Sequence, residues 1–214
     1  MLYRNRYLWN MLLKELDTRE ALVITGARQS GKTTTLNWLM EQIESKNKLF
    51  LDLTLESTLA LFEEYDAEGI AHVLKARGLD LLDRAYVAID EIQSSEKIPV
   101  IVKYLIDHYN IKFFLTGSSA FYLKNQFSES LAGRKLIFEI FPLSFQEFLD
   151  FKQVNFTLPS MFDENTNLKE QTFDTYTYNL LQLQYEEYIQ YGGFPAVVEE
   201  PNPQRKRDQV DLRA

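Results

Sequence analysis

The chain has 214 residues, 45% hydrophobic and 25% charged, with a formal net charge of −8 and no cysteine. Its length suggests one or two domains with a sizeable core, and its composition is ordinary for a globular protein. Disulfides and thiolate metal sites are excluded, a generic basic nucleic-acid surface is disfavoured, and no run of 18 apolar residues marks a membrane span.

In chain order, residues 7–17 predict a short helix, with Leu8, Met11, Leu12 and Leu16 on one side. The apolar, β-rich run at 20–25 predicts a buried strand. Next comes Gly26-Ala27-Arg28-Gln29-Ser30-Gly31-Lys32-Thr33, which fits the pattern G-x-x-x-x-G-K-[ST]. Leu36, Leu39, Met40 and Ile43 then recur at i, i+3, i+4 and i+7, predicting one face of a helix that runs to about residue 45.

Strand, glycine loop and helix in this order make the context of a phosphate-binding P-loop. Its glycines let the backbone curl so that successive N–H groups face phosphate oxygens. The cradle is expected to run from Gly26 through Ala27, Arg28, Gln29, Ser30 and Gly31 to Lys32, Thr33 and Thr34. Lys32 is expected on the β- and γ-phosphates, and the Thr33 hydroxyl on Mg²⁺. The helix N-terminus adds partial positive charge. Arg28 is a second cation that either binds phosphate or anchors the loop.

Residues 48–53 predict a second strand, and 56–64 and 68–77 two helices, or one broken near Asp66 and Gly69. Ala85–Asp90 reads as a third strand. Ile98, Ile101, Val102, Leu105 and Ile106 form a helical stripe, and 112–116 a fourth strand. A helical stretch at 121–131 leads to a fifth strand, Lys135–Ile140. Nearly apolar strands alternating with helices predict an α/β fold: a three-layer αβα P-loop NTPase sandwich with a mainly parallel five-stranded sheet. Ligands in such sheets bind at the carboxyl ends of the strands.

The expected organisation is an N-terminal helical segment (1–17), a core (18–152), a polar insertion or linker (153–178), a small helical lid-like segment (179–200) and a polar tail (201–214). A last helix at 179–191 is expected to stop at Gly192-Gly193, with Pro195 beyond. Arg205-Lys206-Arg207 reads as a solvated basic cluster in the tail.

Strand three ends in Asp90-Glu91. Asp90 is expected to hold Mg²⁺, directly or through water, and Glu91 to polarise the attacking water as general base. The GTPase pattern D-x-x-G is replaced by Asp90-Glu91-Ile92-Gln93, and Asn47-Lys48-Leu49-Phe50 lacks the Asp of the guanine-reading N-K-x-D. Strand four ends in Thr116-Gly117-Ser118-Ser119. Thr116 or Ser118 can hydrogen-bond a γ-phosphate or the attacking water, and the same residues also read as a turn and helix N-cap. Tyr7 reads as core packing or as an adenine stack. His72 and His108 read as ordinary surface or helix residues.

GARQSGKTT, YVAIDEIQ, FLTGSSA, LAGR, the run from Phe141 to Phe148, and Tyr191-Gly192-Gly193-Phe194-Pro195 occur in this order. Together they resemble the prokaryotic AAA-type P-loop ATPases that read G-P-R-Q-x-G-K-T with D-E-I-Q and G-G-F-P, over roughly residues 15–200. The resemblance implies ATP and Mg²⁺ at Gly26–Thr33, with Asp90 and Glu91 positioning metal and water. It also implies a sensor hydroxyl at Thr116 or Ser118. Arg134 becomes an arginine finger for a neighbouring subunit, an exposed surface arginine, or one pairing with Glu129. Ala27 replaces the family's usual proline, and no second-sensor arginine on a lid is identifiable. The family usually continues into a C-terminal domain, expected to be missing from a chain that stops at Ala214.

The leading functional expectation is an ATPase coupling nucleotide state to conformational change. The alternatives are a nucleotide-sensing interaction module with little turnover, and the ATPase part of a DNA-associated system. Self-association or a protein partner is expected. Nucleic acid has no support from overall charge, no membrane is expected, and the location is expected to be cytoplasmic, since residues 1–7 lack the apolar core of a signal peptide.

Overall fold

The computed structural model describes residues 3–118, 131–160, 167–169 and 172–211. They fall into two compact units, Tyr7–Ile140, and Met1–Arg6 together with Phe141–Ala214.

The first unit holds α1 (Tyr7–Lys14), β1 (Ala21–Gly26), α2 (Lys32–Gln42), β2 (Lys48–Asp52), α3 (Glu56–Glu64) and α4 (Ala67–Ala76). It continues with β3 (Ala85–Asp90), a 3₁₀ turn (Ile92–Ser94), α5 (Ile98–His108), β4 (Ile111–Ser118) and β5 (Lys135–Ile140). The helix expected at 121–131 lies outside the described residues, apart from Leu131.

The five strands form one sheet in the order β2-β3-β4-β1-β5, every neighbouring pair parallel. This is the expected three-layer α/β architecture. The reason lies in the strands: β1 is buried at all six positions, and β3 and β4 nearly so. A strand buried on both sides needs helices on both faces. Val23, Val87, Ile89, Phe113 and Leu115 pack with Phe62, Ile70, Leu74, Val102 and Leu105 of α3, α4 and α5. Leu22, Ile24, Ala88 and Phe114 alternate to the other face, also fully buried. The edge strands β2 and β5 are only partly covered, which explains Lys135 and Glu139 in β5.

The expected stripe on α1 is corrected. Trp9 and Leu12 are its buried residues, and Met11 is 55% exposed. The Trp9 ring stacks on Trp38 at 4.1 Å, and its indole N–H donates to Thr35 Oγ1 at 3.0 Å. That aromatic anchor sets the face of the helix. Tyr7, expected in the core, is 54% exposed.

A buried cation sits at the amino end of β4. Lys112 is fully buried, and its ammonium donates to Thr18 Oγ1 at 2.7 Å and to the Glu20 carbonyl at 2.6 Å. Burial pulls its pKa from 10.5 to about 8; nearby Arg84 adds to the fall and Glu20, Glu15 and Asp17 oppose it. Between those values the unfolded chain binds more protons than the folded one, so this group makes stability rise with pH. Thermal unfolding of wild type and Lys112→Met is therefore expected to diverge in favour of wild type as pH goes from about 8 to about 10.5. A midpoint difference that stays constant over that window would contradict this assignment.

The second unit holds α6 (Phe145–Phe151), α7 (Thr175–Tyr191), α8 (Pro195–Glu199) and α9 (Pro203–Asp211). Ser144 and Glu147 close a reciprocal capping box at the start of α6, a signal readable as S-x-x-E. Glu147 also pairs with the buried Arg6 at 2.9 Å. Phe148, Leu149, Leu181 and Val198 form the small core. Gly193 lies against Leu143: a Cβ there would stand 2.3 Å from the Leu143 carbonyl oxygen. The Gly193 carbonyl accepts from the Leu143 N–H at 2.6 Å, so glycine is what permits this approach.

Two expectations for this unit are corrected. Helix α7 begins at Thr175 rather than 179, because Asp174 caps it by accepting from the Thr177 N–H at 3.0 Å. The polar insertion therefore ends sooner. The polar tail is largely helical, as α9, and its basic cluster is not uniformly solvated. Lys206 is 4% exposed, pairs with Glu187 and lies over the Tyr191 ring, while Arg205 and Arg207 face solvent.

Candidate functional site

The carboxyl ends of β1, β3 and β4 bring the site together. The register sets Thr116 beside Ile24 and Ser118 beside Gly26, with β3 on the far side of β4. Gly26 closes β1 at φ 151°, and a Cβ there would stand 2.2 Å from the Ile140 carbonyl oxygen of β5. No other residue fits that backbone approach.

From Gly26 the chain turns through Ala27, Arg28 and Gln29, all exposed, and the buried Ser30. Positive φ at Gln29 (62°) and Gly31 (101°) bends the loop into a concave turn. Ser30 closes it from inside, its hydroxyl donating to the Ala27 carbonyl at 2.9 Å. Helix α2 then starts at Lys32 with no side-chain cap, so its first N–H groups remain available to an anion. Thr34 lies exposed in that first turn.

The Lys32 ammonium folds back over the loop, donating to the Gly26 carbonyl at 3.1 Å and the Ala27 carbonyl at 2.9 Å. Burial holds its pKa below the ordinary lysine value; Glu91 and Asp90 oppose the fall and Arg28 adds to it. Next along the helix, the Thr33 hydroxyl donates to Asp90 Oδ2 at 2.7 Å. The other Asp90 oxygen accepts from the Thr116 hydroxyl, which itself accepts the Glu91 backbone N–H at 3.0 Å. One buried threonine thus fixes both carboxylate residues.

Glu91 stands in the left-handed region, φ 58° and ψ 49°. A non-glycine residue there costs about 1 kcal/mol and marks a conformation the surroundings impose. Its carboxylate accepts from the Gln93 amide, whose oxygen accepts the Ser118 N–H at 3.3 Å. Gln93 has no role in the sequence reading. Its signal in the sequence is its place at the end of the D-E-I-Q run, which by itself names no chemical role.

Thr33 and Asp90 present hard oxygen donors side by side. Among the described residues no group of three or more His, Cys, Asp or Glu could hold a metal ion. One carboxylate and one hydroxyl beside a phosphate cradle fit Mg²⁺, which keeps several waters and takes its remaining oxygens from phosphates.

Arg134 is not brought to this site. Its carbonyl accepts from the Ala21 N–H, at the amino end of β1. The six-residue strand separates it from Gly26 by about 17 Å. It pairs with Asp107 at 2.7 Å, and Glu129, its other expected partner, lies outside the described residues. His72 and His108 are both exposed.

A family model described as an AAA domain matches residues 18–149, more than half of the chain. An uncharacterized protein of Haemophilus influenzae is 32% identical over 214 residues, covering 95% of this chain and 46% of that protein. An uncharacterized protein of Methanocaldococcus jannaschii is 32% identical over 178 residues, covering 82% of this chain and 35% of that protein. The chain spans less than half the length of these curated relatives. Among solved structures, the Walker-type ATPase PABY2304 of Pyrococcus abyssi superposes with a TM-score of 0.53 at 16% identity, covering 97% of this chain and 71% of that one. PCH-2 of C. elegans does so at 0.57 and 14% identity, covering 99% and 70%. These likenesses show the fold.

Proposed function

This chain belongs to the AAA-domain family of P-loop ATPases, and on that premise we propose that it binds ATP with Mg²⁺ at Gly26–Thr34 and hydrolyses it. The observation that carries the proposal is the Thr33–Asp90 hydrogen bond beside Lys32, with Glu91 next in the chain. The loop N–H groups and Lys32 bind the phosphates, while Thr33 and Asp90 supply oxygens to Mg²⁺. Bound there, Mg²⁺ neutralises charge on the phosphate oxygens. Glu91 takes a proton from the attacking water as its oxygen bonds to the γ-phosphorus and the bond to the ADP oxygen breaks. Thr116 orients Asp90 and Glu91, and Ser118, at the end of β4, registers the γ-phosphate. The consequent change of conformation is the output, delivered to a second copy or a protein partner. Net charge of −8 favours this over a DNA-associated role.

Arg134, at the opposite end of the sheet, enters this scheme only in trans, as a finger to a neighbour's γ-phosphate. Turnover per chain is then expected to rise steeply with protein concentration. Arg134→Ala is expected to flatten that rise and to cost about 10³-fold at high concentration, the low end of what a finger contributes. Turnover per chain that is independent of concentration, or unchanged by Arg134→Ala, would rule the trans role out.

A further inference from the structure

We propose that Gln93 is the positioning residue for the Glu91 carboxylate, and that it registers this base against the Ser118 end of β4. The assignment rests on Glu91 acting as the base. A glutamate side chain has three rotatable bonds and loses up to about 2 kcal/mol of rotamer freedom when fixed. Glu91 is only partly buried, so packing alone does not fix it. Its backbone is already held, by the left-handed conformation and by the Thr116 hydroxyl on its N–H. The Gln93 amide supplies the missing restraint at the carboxylate itself.

The amide can act in only one orientation. Its oxygen accepts from the Ser118 N–H at 3.3 Å, and its NH₂ donates to Glu91 Oε2. Turning it over would set oxygen against carboxylate and NH₂ against N–H, two donor–donor or acceptor–acceptor clashes. Gln93 is itself anchored. It is the middle residue of the Ile92–Ser94 turn, where Ile92 is fully buried and the Ser94 N–H donates to the Glu91 carbonyl at 3.0 Å. Gln93 occupies Oε2, while Oε1 has no hydrogen-bond partner among the described residues and is left for water. The Ser118 link makes the base answer to the position of the β4 end, where the γ-phosphate is read in the scheme above.

The test is steady-state and single-turnover ATP hydrolysis by the full chain as wild type, Glu91→Gln, Gln93→Ala, Gln93→Glu and the Glu91→Gln/Gln93→Ala double variant. Gln93→Ala is expected to lower kcat by about 10–100-fold with KM within about threefold, as loss of orientation does. Gln93→Glu keeps the length but sets a like charge on Glu91, and is expected to lose at least as much. In the Glu91→Gln background, Gln93→Ala is expected to cost less than about twofold, because the two act as one unit. Wild-type kcat in Gln93→Ala, or the same fold-loss in both backgrounds, overturns the assignment while leaving the base intact. Wild-type turnover in Glu91→Gln overturns the base, and the Gln93 assignment with it.

Discussion

Glu91→Gln is expected to bind ATP as wild type does and to turn it over about 10²–10⁴-fold more slowly, the range one positioned general base contributes. The amide is the same size and keeps the left-handed backbone, so the hydroxyl of Thr116 still accepts the residue 91 N–H. What disappears is an oxygen able to take the proton of the attacking water. Binding groups are untouched, since Lys32, Thr33 and the loop N–H groups lie on another segment. Equilibrium titration with a fluorescent ATP analogue, run beside single-turnover hydrolysis, separates the two effects. Turnover within a few-fold of wild type would remove Glu91 from the role of base; weakened binding would place it in the cradle instead.

Lys32→Ala is expected to act on the other side of that division, weakening ATP by about 10–100-fold and carrying turnover down with it. A hydrogen bond to a charged group contributes roughly 1.5–3 kcal/mol, and Lys32 is expected to make its bonds to phosphate oxygens. Its ammonium donates to the carbonyls of Gly26 and Ala27. Burial holds its pKa below the ordinary lysine value, so its charge is poorly solvated there. An anion in the loop would add to the counter-charge of Glu91 and Asp90. Removing the ammonium also removes that buried charge, so the variant is expected to unfold no earlier than wild type in thermal melts. Reduced affinity in a chain of wild-type stability then reports lost phosphate binding rather than lost fold.

Much of the backbone geometry of this candidate site was legible in the sequence, for identifiable reasons. Each part of the candidate site selects a residue type: glycine where β1 meets β5 at Gly26, lysine at the start of α2, carboxylates where β3 ends. The central strands were legible because burial on both faces leaves few polar choices. The edge strand β5 kept Lys135 and Glu139, so its apolar pattern was weaker, although its bounds were as expected.

What escaped the sequence depends on three-dimensional pairing. Gln93 closes the D-E-I-Q run, but its use emerges only where the 3₁₀ turn sets it between Glu91 and Ser118. Trp9 rather than Tyr7 anchors α1, because only Trp9 meets Trp38 and Thr35. Lys206 reads as tail charge, yet Glu187 on α7 draws it inward. Arg134 directly precedes β5, and in a parallel sheet that end already lies opposite the loop, so only a neighbouring chain's site is within its reach. Asp174 was a readable cap signal that the polar composition around it obscured.

The most direct test of the central claim is multiple-turnover phosphate release from ATP by wild type and Lys32→Ala side by side, in Mg²⁺ and in excess EDTA. Hydrolysis at Gly26–Thr34 predicts release by wild type in Mg²⁺ that EDTA abolishes and Lys32→Ala lacks. Wild type that binds ATP but releases no phosphate, or equal release from both chains, would contradict it.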